Sequence, residues 1–210
     1  MCGRFDTSHL AWRDIHHQLS TLIPVKSAAQ NMEPNDDVRP TTRQLVARID
    51  GDGWVVEPMR WGLIPFWYKG RLKPSERGAG DGFKLTTFNA RTEDVHAKPT
   101  FRGPFAKRRC IVPASGWYEW SGDPKTKRRF SRVDGSPLWF AGIWERATTE
   151  DEGDVQSFTI LTGPSSGWLS DHHDRAPVIL EPDEWASWLD PSQDAKPLMA
   201  AVRPDRFALA

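Results

Sequence analysis

Cys2 is the residue with the most chemistry to offer. Loss of Met1, which a small second residue permits, would leave a terminal cysteine with an amine and a thiol on adjacent carbons. Unperturbed, that amine titrates at about 7.7–8.0 and the thiol at about 8.5, so both are partly active near neutral pH. A 1,2-aminothiol condenses with aldehydes: the amine forms an imine and the thiol closes a thiazolidine. The same group could attack an amide, with its own amine as base. The bland alternative is an incidental cysteine.

Three further segments carry suitable side chains. Glu119 lies in the aromatic run Trp117-Tyr118-Glu119-Trp120. Strand alternation puts Trp117 and Glu119 on one face, and a carboxyl among tryptophans loses solvation and gains the raised pKa of a general acid. An edge-strand Glu facing water fits the pattern equally well. His173, in Asp171-His172-His173-Asp174-Arg175, can move protons near neutral pH. Asn89-Ala90-Arg91 offers a donor, an acceptor and a planar fork suited to phosphate, or a plain surface turn. No cluster of His, Cys and carboxylates has metal spacing, so no metal and no cofactor is expected.

Composition narrows the setting. The 210 residues carry 28 basic and 28 acidic side chains, so any nucleic-acid site must be a local patch. The length suits one domain, residues 2–210. Two cysteines make no disulfide framework, and the start of the chain carries no apolar targeting segment, which points to a reducing, cytoplasmic (or nuclear) setting. No stretch is long and apolar enough for a membrane helix. A monomer is the default expectation. There are 11 tryptophans, suited either to core packing or to stacking on bases.

The elements that must position these groups read as follows. A loose apolar stripe predicts a helix over 7–22, capped by Thr7 or Ser8. Residues 31–40 read as a loop. Strands over 44–50 and 54–57 flank Gly51-Asp52-Gly53, a hairpin signal, with Pro58 ending the second or lying at an edge. Residues 61–67 form an apolar loop, and 69–82 a flexible Gly-rich insertion. Short helices over 93–106 are broken at Pro99 and Pro104. Strands follow over 110–112, 117–120, 129–133, 138–144, 156–162 and 177–180, then a short helix over 182–189. Strands without repeated helical crossovers indicate an α+β fold, mainly antiparallel, curled into a barrel-like core with flanking short helices.

Taken together, the segments resemble the SOS-response-associated peptidase (SRAP) family of abasic-site-crosslinking proteins. Met1-Cys2-Gly3-Arg4-Phe5, Trp61-Gly62-Leu63-Ile64-Pro65, Asn89-Ala90-Arg91-Thr92-Glu93, Arg109-Cys110-Ile111-Val112-Pro113 through Trp117-Tyr118-Glu119-Trp120, and His173-Asp174-Arg175-Ala176-Pro177 occur in the family order. Each is weak alone; five in order are specific. Pro40-Thr41 looks like a sixth. The resemblance implies a groove for single-stranded DNA and a thiazolidine crosslink from Cys2 to the aldehyde of an abasic deoxyribose, with possible self-reversal and autocatalytic removal of Met1. It makes Asn89 a hydrogen-bonding partner near the amine and sugar, Glu119 the acid/base and His173 the orienting and proton-transferring group. Arg4, Arg91 and Arg175 would hold phosphates, and Thr162 would be a polar DNA contact. Pro40 with Phe66, Trp67 and Tyr68 would wedge against unstacked bases. The departures are Ala176 for the usual Met, Tyr68 where some members carry a second Trp, the longer 69–82 segment, and a short C-terminal tail. The competing readings are a cysteine peptidase or amidase acting on other peptides, and a non-catalytic single-strand binder.

Overall fold

The computed structural model describes residues 2–73, 82–83, 86–199 and 203–210. Strand β1 (Arg4–Asp6) leads to helix α1 (Trp12–Ser20). The hairpin β2 (Arg43–Asp50) and β3 (Gly53–Trp61) follows, then the short β4 (Asn89–Arg91) and helix α2 (Pro99–Lys107). The second half holds β5 (Arg109–Ala114), β6 (Gly116–Ser121), β7 (Thr126–Arg132), β8 (Leu138–Thr149), β9 (Gly153–Pro164) and β10 (Arg175–Pro177). Helix α3 (Trp185–Leu189) and β11 (Phe207–Leu209) complete it.

The larger sheet runs β10-β9-β3-β2-β5-β8, and β8 pairs back onto β9, so β9, β3, β2, β5 and β8 close into a five-stranded barrel. Closure removes the open edges that a five-stranded sheet would otherwise expose. The pairings are antiparallel except where β9 meets β3 and β4. A smaller sheet, β1-β6-β7-β11, lies alongside. The fold is α+β, as the strand-dense second half predicts.

Both faces of the barrel strands are buried, by different partners. Cys110, Val112 and Phe140 pack with Cys2, Phe5, Trp61 and Trp117. On alternate positions Ile111, Trp139, Ala141 and Ile143 pack with Ile15 and Leu19 of α1 and Trp185 and Trp188 of α3. Most of the tryptophans serve this packing: Trp54, Trp61, Trp117, Trp139, Trp185 and Trp188 are fully buried. Several of their ring N–H groups find backbone acceptors, the usual arrangement for buried indoles. Trp54 donates to Leu19 O, Trp61 to Phe88 O and Trp188 to Cys110 O, at 2.8–3.0 Å.

Local expectations need three corrections. Helix α1 starts at Trp12 rather than residue 7, because Ser8 turns back onto Asp6 and Thr7 N–H is taken by Asn35 O. Pro99 does not break a helix but opens one, at the position where its missing N–H costs nothing, and Pro104 lies within that helix. Of the two readings of Pro58 the edge one holds: it faces Leu45 in the register, where β3 has a partner on one side only, since β9 reaches only Arg60 and Trp61. β8 and β9 run on to a turn at 150–152, five residues past the predicted strand end on one side and three before the predicted start on the other. Most of the 69–82 segment lies outside the described residues.

Candidate active site at the amino terminus

Four residues distant in sequence meet at the start of the chain. Cys2 precedes β1, and β1 pairs with β6, placing Arg4 opposite Tyr118 one residue before Glu119. β4 pairs with β9, which brings Asn89 in from the far side. β10 pairs with the other end of β9 and carries His173 just ahead of it. Asn89 Nδ2 donates to Cys2 O at 2.6 Å, fixing the first residues of the chain. Asn89 Oδ1 is buried and has no hydrogen-bond partner among the described residues. The Cys2 side chain is fully buried, with Sγ 3.6 Å from Arg4 O. His173 Nε2 lies 3.9 Å from Glu119 Oε2.

The environment tunes all three titratable groups. Glu119 is 3% exposed, and burial pushes its carboxyl up to about 7, against the opposing charge of the chain's amino terminus. Burial, and then the Glu119 carboxylate, raises the Cys2 thiol well above its ordinary range. His173 is shifted the other way, chiefly by burial, then by the amino-terminal charge. Its Nδ1 accepts the Arg175 backbone N–H at 2.9 Å. Asp174 Oδ1 lies 2.9 Å and Arg175 O 3.1 Å from the same ring nitrogen. A carboxyl near half-ionised at neutral pH and a neutral imidazole make an acid/base pair beside the chain terminus.

An anchored loop after β3 carries exposed aromatics. Phe66 is 60% and Trp67 54% exposed, large apolar side chains set in water. Ile64 just before them is buried, and its N–H is held by Ser157 Oγ. Tyr68 turns inward, donating to Arg71 O at 2.6 Å and packing edge-on against Phe83. Beyond it, the Asp151 carboxylate accepts the N–H groups of both Leu72 and Lys73, at 2.9 and 3.0 Å. Half-buried Pro40 lies in a turn closed by Thr42 N–H to Arg39 O. Thr41 follows it with φ +79°, a conformation β-branched residues avoid. Thr41 N–H donates to Trp61 O and Trp61 N–H to Thr42 O, which holds the turn against the barrel.

A family model described as SOS response associated peptidase (SRAP) matches residues 1–209. The chain belongs to this family. It is 36% identical over 194 residues to the abasic site processing protein YoaM of Bacillus subtilis, covering 91% of this chain and 80% of YoaM. It is 34% identical over 210 residues to the abasic site processing protein YoqW of the same organism, covering 97% and 87%. A crystal structure of a protein from Bacteroides thetaiotaomicron superposes with a TM-score of 0.79 at 26% identity, covering 99% of this chain and 90% of that one.

This SRAP domain treats its arginines unequally. Arg91 is exposed on β4 with no carboxylate in ion-pairing range among the described residues. Arg175 forms a two-pronged ion pair with Glu93, at 2.7 and 2.9 Å, and also donates to Thr162 O. That pair draws the Glu93 carboxyl down to about 2. Arg4 pairs with Asp37 at 3.0 Å and lies over the Trp120 ring. Thr162 is fully buried, and Arg175 Nε lies 3.4 Å from its hydroxyl. Sequence reading passed over Asp151 and took Thr41 only as part of the Pro40-Thr41 motif. The run Glu150-Asp151-Glu152-Gly153 signals a turn, but nothing local says what it will hold. Among the described residues no group of three or more metal-ligating side chains occurs, and no helix is long and apolar enough to cross a membrane.

Proposed function

We propose that this SRAP domain, once Met1 is lost, captures abasic sites in single-stranded DNA as a covalent crosslink through Cys2. The observation that carries the reading is the convergence of Asn89, Glu119 and His173 on the first residues of the chain. With Met1 attached, the Cys2 nitrogen is an amide and inert; removal makes it a primary amine. That amine adds to the aldehyde of the ring-opened deoxyribose. Glu119, protonated in part near neutral pH, gives a proton to the departing hydroxyl and takes one back from the nitrogen, so water leaves and a neutral imine remains. The Cys2 thiol then adds to the imine carbon, its proton passing to the nitrogen, and a thiazolidine closes. The raised thiol pKa suits this order, because the amine attacks first and the resting thiol stays uncharged. Asn89 Oδ1 has an open lone pair for an amine or sugar donor. Phe66 and Trp67, exposed on their loop, would stack against bases flanking the lesion. The names of YoaM and YoqW, abasic site processing proteins, agree with this substrate.

The test mixes protein of confirmed mass lacking Met1 with an oligonucleotide bearing one abasic site, resolved on a denaturing gel. The wild type gives a shifted band and Cys2→Ala gives none. A wild-type lane without a shifted band would overturn the crosslinking reading. Turnover of unrelated peptides in its place would favour amide hydrolysis.

A further inference from the structure

The charges of this chain cancel at 28 against 28, and many of its cations have a local counter-charge. Arg48 pairs with Glu57, Arg108 with Glu145, Arg129 with Asp6 and Arg132 with Glu181, at 2.6–2.9 Å. Arg109 spends its guanidinium on backbone carbonyls. Of the arginines the resemblance offers for phosphates, Arg4 and Arg175 are likewise neutralised within the protein. The cations left without a carboxylate are therefore informative: a neutral protein that binds a polyanion must do so where its own acids do not already satisfy its bases.

Three of these fall within four residues. Lys125, Lys127 and Arg128, at the end of the β6–β7 hairpin, are exposed and have no carboxylate within ion-pairing distance among the described residues. The turn between the strands holds one acid, Asp123. Arg128 faces Glu119 directly in the register. Directly opposed residues of an antiparallel pair share a face, so Arg128 continues the Glu119 face one strand further out. Lys127 lies on the other face, 3.8 Å above the Tyr118 ring, which fixes its charge in place without neutralising it. The hairpin thus carries positive charge on both faces, outward from the strand that bears the proposed acid. Arg91, also without a carboxylate in ion-pairing range among the described residues, stands on β4 two positions from Asn89.

We propose that the β6–β7 hairpin is a phosphate-binding arm. Lys125, Lys127 and Arg128 hold phosphodiesters of the single strand on one side of the lesion, and Arg91 holds the other side. The proposal rests on the single-stranded DNA reading above and adds a surface to it.

The test compares wild type with Lys125→Gln/Lys127→Gln/Arg128→Gln, and with a control carrying Arg102→Gln/Lys107→Gln on α2. Binding to an undamaged single-stranded oligonucleotide is measured across salt, and crosslinking to a short abasic oligonucleotide at saturation. Each phosphate-neutralising cation contributes a slope of about 0.7 in log K against log salt, so the triple variant should lose about 2 from the slope and bind at least about tenfold more weakly at low salt. Crosslinking at saturation should persist, which also shows that the variant folds. A triple variant that matches wild type in slope and affinity overturns the arm. So does a control variant that loses as much, since general charge would then explain both. Loss confined to a duplex of the same length overturns the single-strand assignment. A wild type that neither binds nor crosslinks shows that the underlying DNA reading has failed, and the arm falls with it.

Discussion

Arg109 and Glu119 are both buried charged residues on neighbouring strands, at 8% and 3% exposure, yet their surroundings differ. The Arg109 guanidinium donates to Phe105 O, Trp188 O, Asp190 O and Gln193 O, at 2.9–3.2 Å, tying the ends of α2 and α3 to the barrel. Its demands are met by backbone that goes nowhere. Glu119 instead faces a histidine ring at 3.9 Å and the chain terminus, with its carboxyl near half-ionised at neutral pH. Burial alone does not mark a functional charge. What separates the two is whether the surroundings settle the proton or leave it in balance.

The largest expected effect sharpens that contrast on the Glu119 side. Glu119→Gln should slow crosslinking by about 10²–10⁴-fold in single-turnover gels, the range for loss of a positioned acid or base. In the wild type the rate should fall as pH rises through about 7, as the acid ionises, and the variant should lack that limb. Stability carries the same signature. The folded carboxyl titrates near 7 and the ordinary one at 4.5, so the folded state binds its proton more tightly and is progressively destabilised as pH rises through that window. Melting curves at pH 4 and pH 8 should show Glu119→Gln gaining about 3 kcal/mol relative to wild type at the higher pH. An unchanged difference would place the Glu119 carboxyl in an ordinary, solvated setting.

On the Arg109 side the expected effect is structural. Arg109→Met should cost about 3 kcal/mol in denaturant unfolding, since four carbonyls lose a charged donor. The crosslinking rate of the molecules that remain folded should be unchanged. A specific rate loss would break the contrast and make Arg109 part of the site. On the loop after β3, Trp67→Ala should weaken single-strand binding by about 1–3 kcal/mol, the worth of one stacked base, with no effect on folding. The smallest effect belongs to Thr41. Thr41→Gly should stabilise the fold by about 1 kcal/mol through relief of its positive φ. A destabilised Gly variant would mean that the Thr41 side chain contributes more than the strain costs.

Much of this was legible in the residues. The Gly51-Asp52-Gly53 turn, the strand around Glu119 and the α+β class follow from turn chemistry and alternation, and the ordered motifs pick out Cys2, Asn89, Glu119 and His173. The register that closes the barrel is not legible, because β9 pairs with β3 about a hundred residues earlier with no local signal. Nor is the pairing of charges. Arg175 and Arg91 look alike in sequence, but only the fold shows that Glu93 has claimed the first. The start of α1 was misplaced for the same reason, since Thr7 N–H is captured by Asn35 from 28 residues away.

The hydrogen bond from Asn89 to the Cys2 carbonyl has one further consequence. It pins the first residues of the chain in a buried corner, and the proposed nucleophile there is the chain end itself. While that reading stands, an amino-terminal tag, a fused domain or an acetyl cap left on Cys2 would each consume the amine, so a purification handle must leave Cys2 free.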